Sequence, residues 1–536
     1  MYDYCMDNKL LTPRNSGFKK GDSTVNQLIS IVHNIYKNFD EKLDTCMIFL
    51  DISKAFDKVY HDGLLFKLRQ IGIEGRLLSW LKSYLTDRRQ RVVLEGVHSD
   101  WSYTNAGVPE GSILGPLLFL IYINDIVDNV KSDIFVFADD TSIMRKIDNP
   151  TQAFTDLEND LTKLWNWADQ WRVTFNPNKT KYMIFSLKKY QPNYPSLSFN
   201  NVHIEKVNSH THLGVTLDTR LSWKSHIDCI YSKASQKLGS LKSIRYFIPR
   251  KTAENIYLAV VRSILEYGDI VYDNLTKQQA DKLDKLEREA MITCTRGYRH
   301  TSHEKLQVEC GWQPLNYRRR DHRLATFYKI FNGICPEHLS KLSLPKTKDN
   351  NPRNLRNLAS KYNVLEPNTR ITTYYHSFVP QTARDWNSLH DTVKSAPSYQ
   401  SFKTALKKLN PFRPNKLFSH FDNQESVHHT RLRLGLSGLH SHLFKIGIGR
   451  DNLCTHCNEP ETVMHYMLKC SHYRDEQVEL LNIVKCIFNE KDLIVANDEH
   501  LVHILLYGAN KLDFESNLVI FKAIHNYIKS TQRFEN

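Results

Sequence analysis

Short runs of β-branched and aromatic residues alternate with longer stretches of helical apolar spacing through roughly the first 220 positions. TCMIFLDIS (Thr45–Ser53), SDIFVFADD (Ser132–Asp140) and KYMIFSL (Lys181–Leu187) predict strands. VNQLISIVHNIYKNF (Val25–Phe39) and LLFKLRQIG predict helices, the second stopped by Gly72. FTDLENDLTKLWNWADQWRVTF (Phe154–Phe175) reads as an amphipathic helix that runs into a strand. The pattern is that of an α+β unit. Helical period dominates from Ser222 to Arg323, as in KLDKLEREAMITCTRG. KLSLPKTKDNNPRNLRNLASKYNV, with Pro345 and Pro352, predicts an exposed linker. A further helical segment ends near Leu409, NPFRPN (Asn410–Asn415) marks a boundary, and a cysteine cluster and helical tail follow. No repeat of fixed period interrupts this order.

Composition adds two things to that picture. A content of 41% hydrophobic and 24% charged residues over 536 positions describes several globular domains and argues against disorder. The 72 Lys and Arg outnumber 58 Asp and Glu, a net charge of +14, which favours a polyanionic partner. No apolar run approaches the roughly 18 residues of a membrane span. The N-terminus lacks the basic start and apolar core of a secretory leader, so the ten cysteines are expected to be reduced thiols.

Candidate chemistry sits at two places. FVFADDTSIM (Phe135–Met144) sets Asp139 and Asp140 in an apolar run, where burial of unpaired carboxylates costs several kcal/mol or more. A plain hairpin turn also accounts for DDT. A third carboxylate, Asp51, ends the run MIFL. Carboxylates delivered by two strand ends make an oxygen-rich site for Mg²⁺. Two such ions about 3.5–4 Å apart suit nucleotidyl transfer. The second place is LCTHCNEPETVMHYMLKCSHY, spaced C-x2-C-x7-H-x4-C through Cys454, Cys457, His465 and Cys470. Three thiolates and an imidazole satisfy tetrahedral Zn²⁺. Pro460 is expected to open a helix that carries His465 inward. Cys470, five residues on, falls on another face of a straight helix and is therefore expected just past its end. His456 and His472 are neighbouring rivals for the histidine ligand.

The motifs, in order, resemble the reverse transcriptase of non-LTR (LINE-like, jockey-type) retrotransposons. NSGFKKGDST resembles the fingers motif, FLDISKAFDKV the strand of the first metal aspartate, and YLTDRRQRV the basic segment after it. AGVPEGSILGPLLFLIYINDI resembles the nucleotide-and-template motif, and FVFADD the second and third aspartates. FNPNKTKYMIF resembles the lysine motif and HLGVTLDTRLSW the primer grip. The likeness continues through ILEYGDIVYDNL into the cysteine cluster, whose spacing is that of the family's C-terminal CCHC knuckle.

The resemblance implies a right-hand polymerase: partial fingers and a ferredoxin-like palm over 1–220, and a helical thumb over 221–323. A helical and linker region over 324–430, a basic segment with zinc knuckle over 431–490, and a helical tail over 491–536 complete it. Asp51 and Asp139 are the implied Mg²⁺ ligands of a two-ion site, with Asp140 beside them and Lys179 as general acid; Lys181 rivals Lys179. Ile52, the steric-gate ring Phe56, Gly107, Pro109, Glu110 and Gly111 are implied to hold the nucleotide. Lys19, Lys20, Arg88, Arg89 and Arg91 are implied to track the template backbone. Glu110 replaces the family's usual Gln, exchanging an amide donor for an acceptor-only carboxylate. Lys19 and Lys20 stand where the family prefers Arg. The implied cofactors are two Mg²⁺ and one structural Zn²⁺, and the implied partners RNA template, DNA primer and dNTPs, with no membrane. A nuclear location follows from the resemblance alone. Met1 lies shortly before the fingers motif, so the family's upstream fingers and endonuclease are expected to be missing. The chain is therefore expected to be an element-derived piece, with a silent nucleic-acid-binding relic as the alternative function.

Overall fold

A computed structural model describes residues 1–190, 192–347, 360–488 and 497–534. Half of the expected Lys341–Val364 linker (348–359) lies outside these residues. Its two flanks pair with each other, through a Lys346–Val364 bridge and a Leu365 N–H to Pro345 O bond of 2.9 Å. The contacts divide the chain into two compact units: Met1–Ile227 with Gly268–Leu275 and Arg319–Ala405, and Asp228–Tyr267 with Thr276–Arg318 and Leu406–Asn536.

The first unit is built on a five-stranded sheet. Its order is Glu205–Lys206, Lys181–Phe185, Asp44–Leu50, Asp140–Ile147, Asp133–Phe137. All pairings are antiparallel except the short outer one between Glu205–Lys206 and Lys181–Phe185. The four main strands, with helices between the first and second and between the third and fourth, have the βαββαβ arrangement of a ferredoxin-like unit. Asp44–Leu50 is central and buried at every position, which explains its unbroken apolar run. Register follows from Ile48 facing Ile143 on one side and Tyr182 on the other.

Helices Thr24–Asp40 and Pro150–Gln170 begin at Ser23 and Asn149, whose side chains accept from Asn26 N–H and Gln152 N–H. The second starts earlier and stops sooner than its apolar period predicts. Gln170 ends it, and Phe175 then makes only a single bridge, to Ile52. Helix Leu114–Ile123 has no apolar period because it is buried on almost every side.

The second unit is helical. Lys277–Thr295 opens with a full capping box between Thr276 and Gln279. At the centre of the unit Glu309 is gripped by two buried guanidiniums. Arg433 spans both its oxygens (2.8 and 2.9 Å), and Arg250 reaches one at 2.7 Å. Burial alone pushes this carboxyl up, but the two arginines override it and hold it at about 2.

Candidate active site and candidate metal centre

Asp51 is the first residue beyond the central strand, and its register partner across the sheet is the start of the Asp140–Ile147 strand, since Leu50 faces Thr141. Phe137 pairs with Asp140, so Ala138 and Asp139 form the two-residue hairpin loop. The three carboxylates thus meet at one end of the sheet. They are less buried than their apolar flanks predict: Asp51 and Asp139 are half-buried and Asp140 is exposed. The flanks turn inward while the acids lie where the strands end. The Asp140 carboxyl is raised above the usual range, first by the protein packed around it, although the residue as a whole is exposed, and then by repulsion from Asp139 and Asp51.

The backbone of Asp51 is fixed from outside the sheet: Asn176 N–H donates to Asp51 O (2.9 Å) and Ser53 N–H to Thr174 O (2.8 Å). The same turn carries Lys179, whose Nζ lies 3.9 Å from Asp51 Oδ2. Its rival Lys181 is committed elsewhere, to Glu205 and the Asn178 carbonyl.

The GVPEG loop is stitched to the segment after Asp51. Gly107 N–H donates to Val59 O and Val108 N–H to Phe56 O, both at 2.9 Å. Gly107 has φ +88°, and a Cβ there would stand 2.6 Å from Asp57 O, so no other residue fits. Phe56 stacks on Phe119 (4.4 Å) and receives Phe18 edge-on (5.9 Å). Pro109 is half-buried, and Glu110 and Gly111 are exposed on the loop. Phe49, on the strand leading to Asp51, stacks on His210 of the Ser209–Asp218 hairpin (4.0 Å).

Residues 2–217 match the model of the family described as reverse transcriptase (RNA-dependent DNA polymerase). That segment is similar to reverse transcriptases. The chain is 29% identical over 307 residues to a probable RNA-directed DNA polymerase from transposon BS of Drosophila melanogaster, covering 55% of this chain and 33% of that one. It is 28% identical over 376 residues to the corresponding protein of the X-element (68% and 39%), and 29% identical over 288 to that of mobile element jockey (51% and 31%), both from the same fly. The homology supports a LINE-like reverse transcriptase, and the chain spans about a third of the length of these curated relatives. Among solved structures it aligns with Candida albicans telomerase in complex with a fragment of telomeric RNA. That alignment has 11% identity and a TM-score of 0.33 over 57% of each chain, too slight a likeness to carry an argument.

The basic residues of the reverse transcriptase segment fall in two settings. Lys19 turns inward, donating to the Thr12 carbonyl, and burial brings its ammonium down to about 8. Lys20 is exposed. Arg88, Arg89 and Arg91 lie on a projecting ribbon in which Arg88–Gln90 pairs with Ser102–Thr104. Arg89 lies against Tyr103 (5.4 Å) and Arg91 against Trp101 (4.6 Å), both rings more than half exposed. These two aromatics escape a reading of sequence motifs. The available signal was Glu95-Gly96, a two-residue turn with both φ positive that closes the ribbon.

In the second unit, Cys454, Cys457, His465 and Cys470 bring one ligand atom each to within 4.8 Å of one another. Among the described residues no other group of three or more His, Cys, Asp or Glu does so, the aspartate trio included. Cys470 Sγ lies 3.9 Å from Cys454 Sγ and 3.5 Å from Cys457 Sγ. Two thiolates on one tetrahedral zinc, with Zn–S about 2.3 Å, stand about 3.8 Å apart. His465 Nε2 is buried with no hydrogen-bond partner, while Nδ1 faces Glu459 at 3.3 Å, the arrangement of a metal-binding imidazole oriented by a carboxylate. The donor set fits zinc. The Ser471 hydroxyl lowers the Cys457 thiol to about 6, and burial pushes Cys470 up to about 12.

One expectation about the cluster is corrected. Pro460 does not open the helix. It bridges to Leu453 to close the thiolate turn, and the helix begins at Val463. Cys470 stands just past the helix end, as expected, and the turn before it, His465–Lys469, is wound as a π-turn. Cys470 N–H donates to His465 O (2.8 Å), so residues five apart lie one above the other. His456 and His472 stack on each other (3.6 Å), apart from the ligand set.

Proposed function

We propose that this chain is the RNA-directed DNA polymerase portion of a LINE-like element, extending a DNA 3′ end on an RNA template. The observation that carries the reading is the meeting of Asp51, Asp139 and Asp140 at one end of a ferredoxin-like sheet, within a segment of reverse transcriptase ancestry. The raised Asp140 carboxyl supports it: three acids crowded together are a poor structural choice and a good receptor for divalent cations.

Asp51 and Asp139 are the residues that would hold Mg²⁺, with Asp140 beside them. Bound there, the ions supply activation of the primer hydroxyl and neutralisation of charge on the triphosphate. The chain's own residues do the rest. Lys179, next to Asp51, is placed to donate a proton to departing pyrophosphate. Phe56, backed by Phe119, presents a ring that crowds a ribose 2′-hydroxyl. The Gly107–Gly111 loop brings backbone close to the nucleotide, and the carboxylate of Glu110 repels a triphosphate unless a cation screens it. Arg88, Arg89 and Arg91 track the template phosphates. On this reading the fingers, palm and helical thumb follow the boundaries expected from sequence. Cys454, Cys457, His465 and Cys470 hold one structural Zn²⁺ in a knuckle that contacts RNA, and the protein works at chromosomal DNA in the nucleus.

Primer extension on an RNA template with dNTPs and Mg²⁺ tests the proposal. Extension lost in Asp139→Ala supports it. A folded chain that binds RNA but never extends a primer leaves the silent nucleic-acid-binding protein as the correct reading.

A further inference from the structure

The hairpin loop that carries Asp139 is strained and externally held. Ala138 has φ +55°, a left-handed conformation that costs an L-residue roughly 1–2 kcal/mol. Such a turn persists only where neighbours over-determine it. The neighbours belong to a segment more than a hundred residues away in sequence. The stretch Arg14–Gly17 runs beside the Asp133–Phe137 strand as a short parallel addition: Val136 N–H donates to Arg14 O (3.1 Å) and Ser16 N–H to Val136 O (2.9 Å). Asn15, only 3% exposed, sits under the loop. Its Oδ1 accepts from Gly17 N–H (2.9 Å) and from Ala138 N–H (3.3 Å). Because both donors are backbone amides, the oxygen and not the amide nitrogen must face them. Gly17 closes the contact, since a Cβ there would lie 2.4 Å from Ala138 N.

We propose that Asn15 is a positioning residue for the aspartate hairpin: its side-chain carbonyl splints the Ala138–Asp139 loop to the Arg14–Gly17 segment and so sets where the carboxylates of Asp139 and Asp140 point. The inference rests on the polymerase reading for its catalytic consequence, but not for the splint itself. Gly17 supplies the missing side chain that lets the two backbones touch. Gln27 provides an internal contrast. Its Nε2 donates to Val136 O (3.0 Å), on the same strand but before the loop, so it supports the sheet without touching the turn.

The test compares the full chain with Asn15→Ala and Gln27→Ala by two readouts. Amide hydrogen exchange across residues 133–147 reads the splint. Single-dNTP addition on an RNA template reads the chemistry, with the maximal rate separated from the dNTP KM. In the unaltered protein the Ala138 amide exchanges as slowly as the flanking strand amides. Asn15→Ala speeds exchange at the loop about tenfold or more and lowers the maximal addition rate by about tenfold to a hundredfold, with KM changed less than about threefold. Gln27→Ala leaves loop exchange and maximal rate within about threefold of the unaltered chain. Free exchange of Ala138 in the unaltered chain overturns the proposal, even if Asn15→Ala does not fold. So does wild-type behaviour of Asn15→Ala, or an equal loss in both variants, which means a loosened sheet. A chain that never extends a primer defeats the polymerase reading, while the exchange data still decide the splint.

Discussion

At Asp51, Asp139 and Asp140 the donors sit at strand ends with solvent reaching them, and among the described residues they do not close into a tight set. At Cys454, Cys457, His465 and Cys470 the donor atoms are already within 4.8 Å, three of the four residues are buried, and the histidine has an orienting carboxylate. Hard oxygen donors in an open place suit ions that arrive with substrate and keep exchangeable positions. Soft donors in a closed place suit an ion that holds structure. The cluster's donors face one another across a short gap, whereas Asp140 is repelled by Asp139 and Asp51. On the proposed function, the difference separates a site built for turnover from one built for permanence.

That contrast is easiest to break with one substitution on each side. Asp139→Ala should lower primer extension by about a thousandfold or more while leaving the melting temperature unchanged or slightly higher, because it removes a crowded charge. Cys470→Ser should do the reverse: zinc by mass spectrometry falls from one per chain to none and the second unit unfolds, since structural zinc contributes on the order of 10 kcal/mol. A Cys470→Ser chain that keeps its stability removes the distinction.

The buried Glu309 sharpens it from another direction. Glu309→Gln leaves Arg250 and Arg433 without their full counter-charge, at an expected cost of about 3–5 kcal/mol in denaturant unfolding. Its pH dependence is opposite in sign to that of Asp140. Glu309 is depressed to about 2, so its contribution is present above the unfolded carboxyl value of about 4 and fades as pH falls toward 2. Asp140 is raised, so its contribution is present below the unfolded value and is lost as pH rises through the raised one. In metal-free buffer, Asp140→Asn should therefore stabilise the chain near neutrality, and Glu309→Gln should flatten the acid limb of the melting profile. The smallest effect expected is at the ribbon. Arg91→Ala should weaken RNA binding a few-fold and reduce the salt slope by about 0.7, the share of one phosphate on a single strand.

Much of this was legible in the sequence where local rules agree. The strand Asp44–Leu50 and the hairpin around Asp139 announce themselves by β-branched and aromatic runs, and the helices Thr24–Asp40 and Pro150–Gln170 by their period. Leu114–Ile123 did not, because a helix buried all round has no polar face to mark its turn. The depth of the aspartates was overestimated, since apolar flanks say which way the neighbours point and not how far the strand ends reach toward solvent. The five-residue step from His465 to Cys470 looked awkward on an α-helix and became natural once the winding was seen to be π. The part played by Asn15 was invisible, because the bond that defines it joins residues 123 positions apart.

The polymerase reading stands or falls on single-dNTP addition to a DNA primer on an RNA template, followed against Mg²⁺ concentration for the unaltered chain and for Asp139→Asn. A Mg²⁺-dependent product is expected from the former and none from the latter, with both chains retaining one zinc and binding template-primer equally. Product from Asp139→Asn at the unaltered rate, or product that persists when Mg²⁺ is withdrawn, contradicts it.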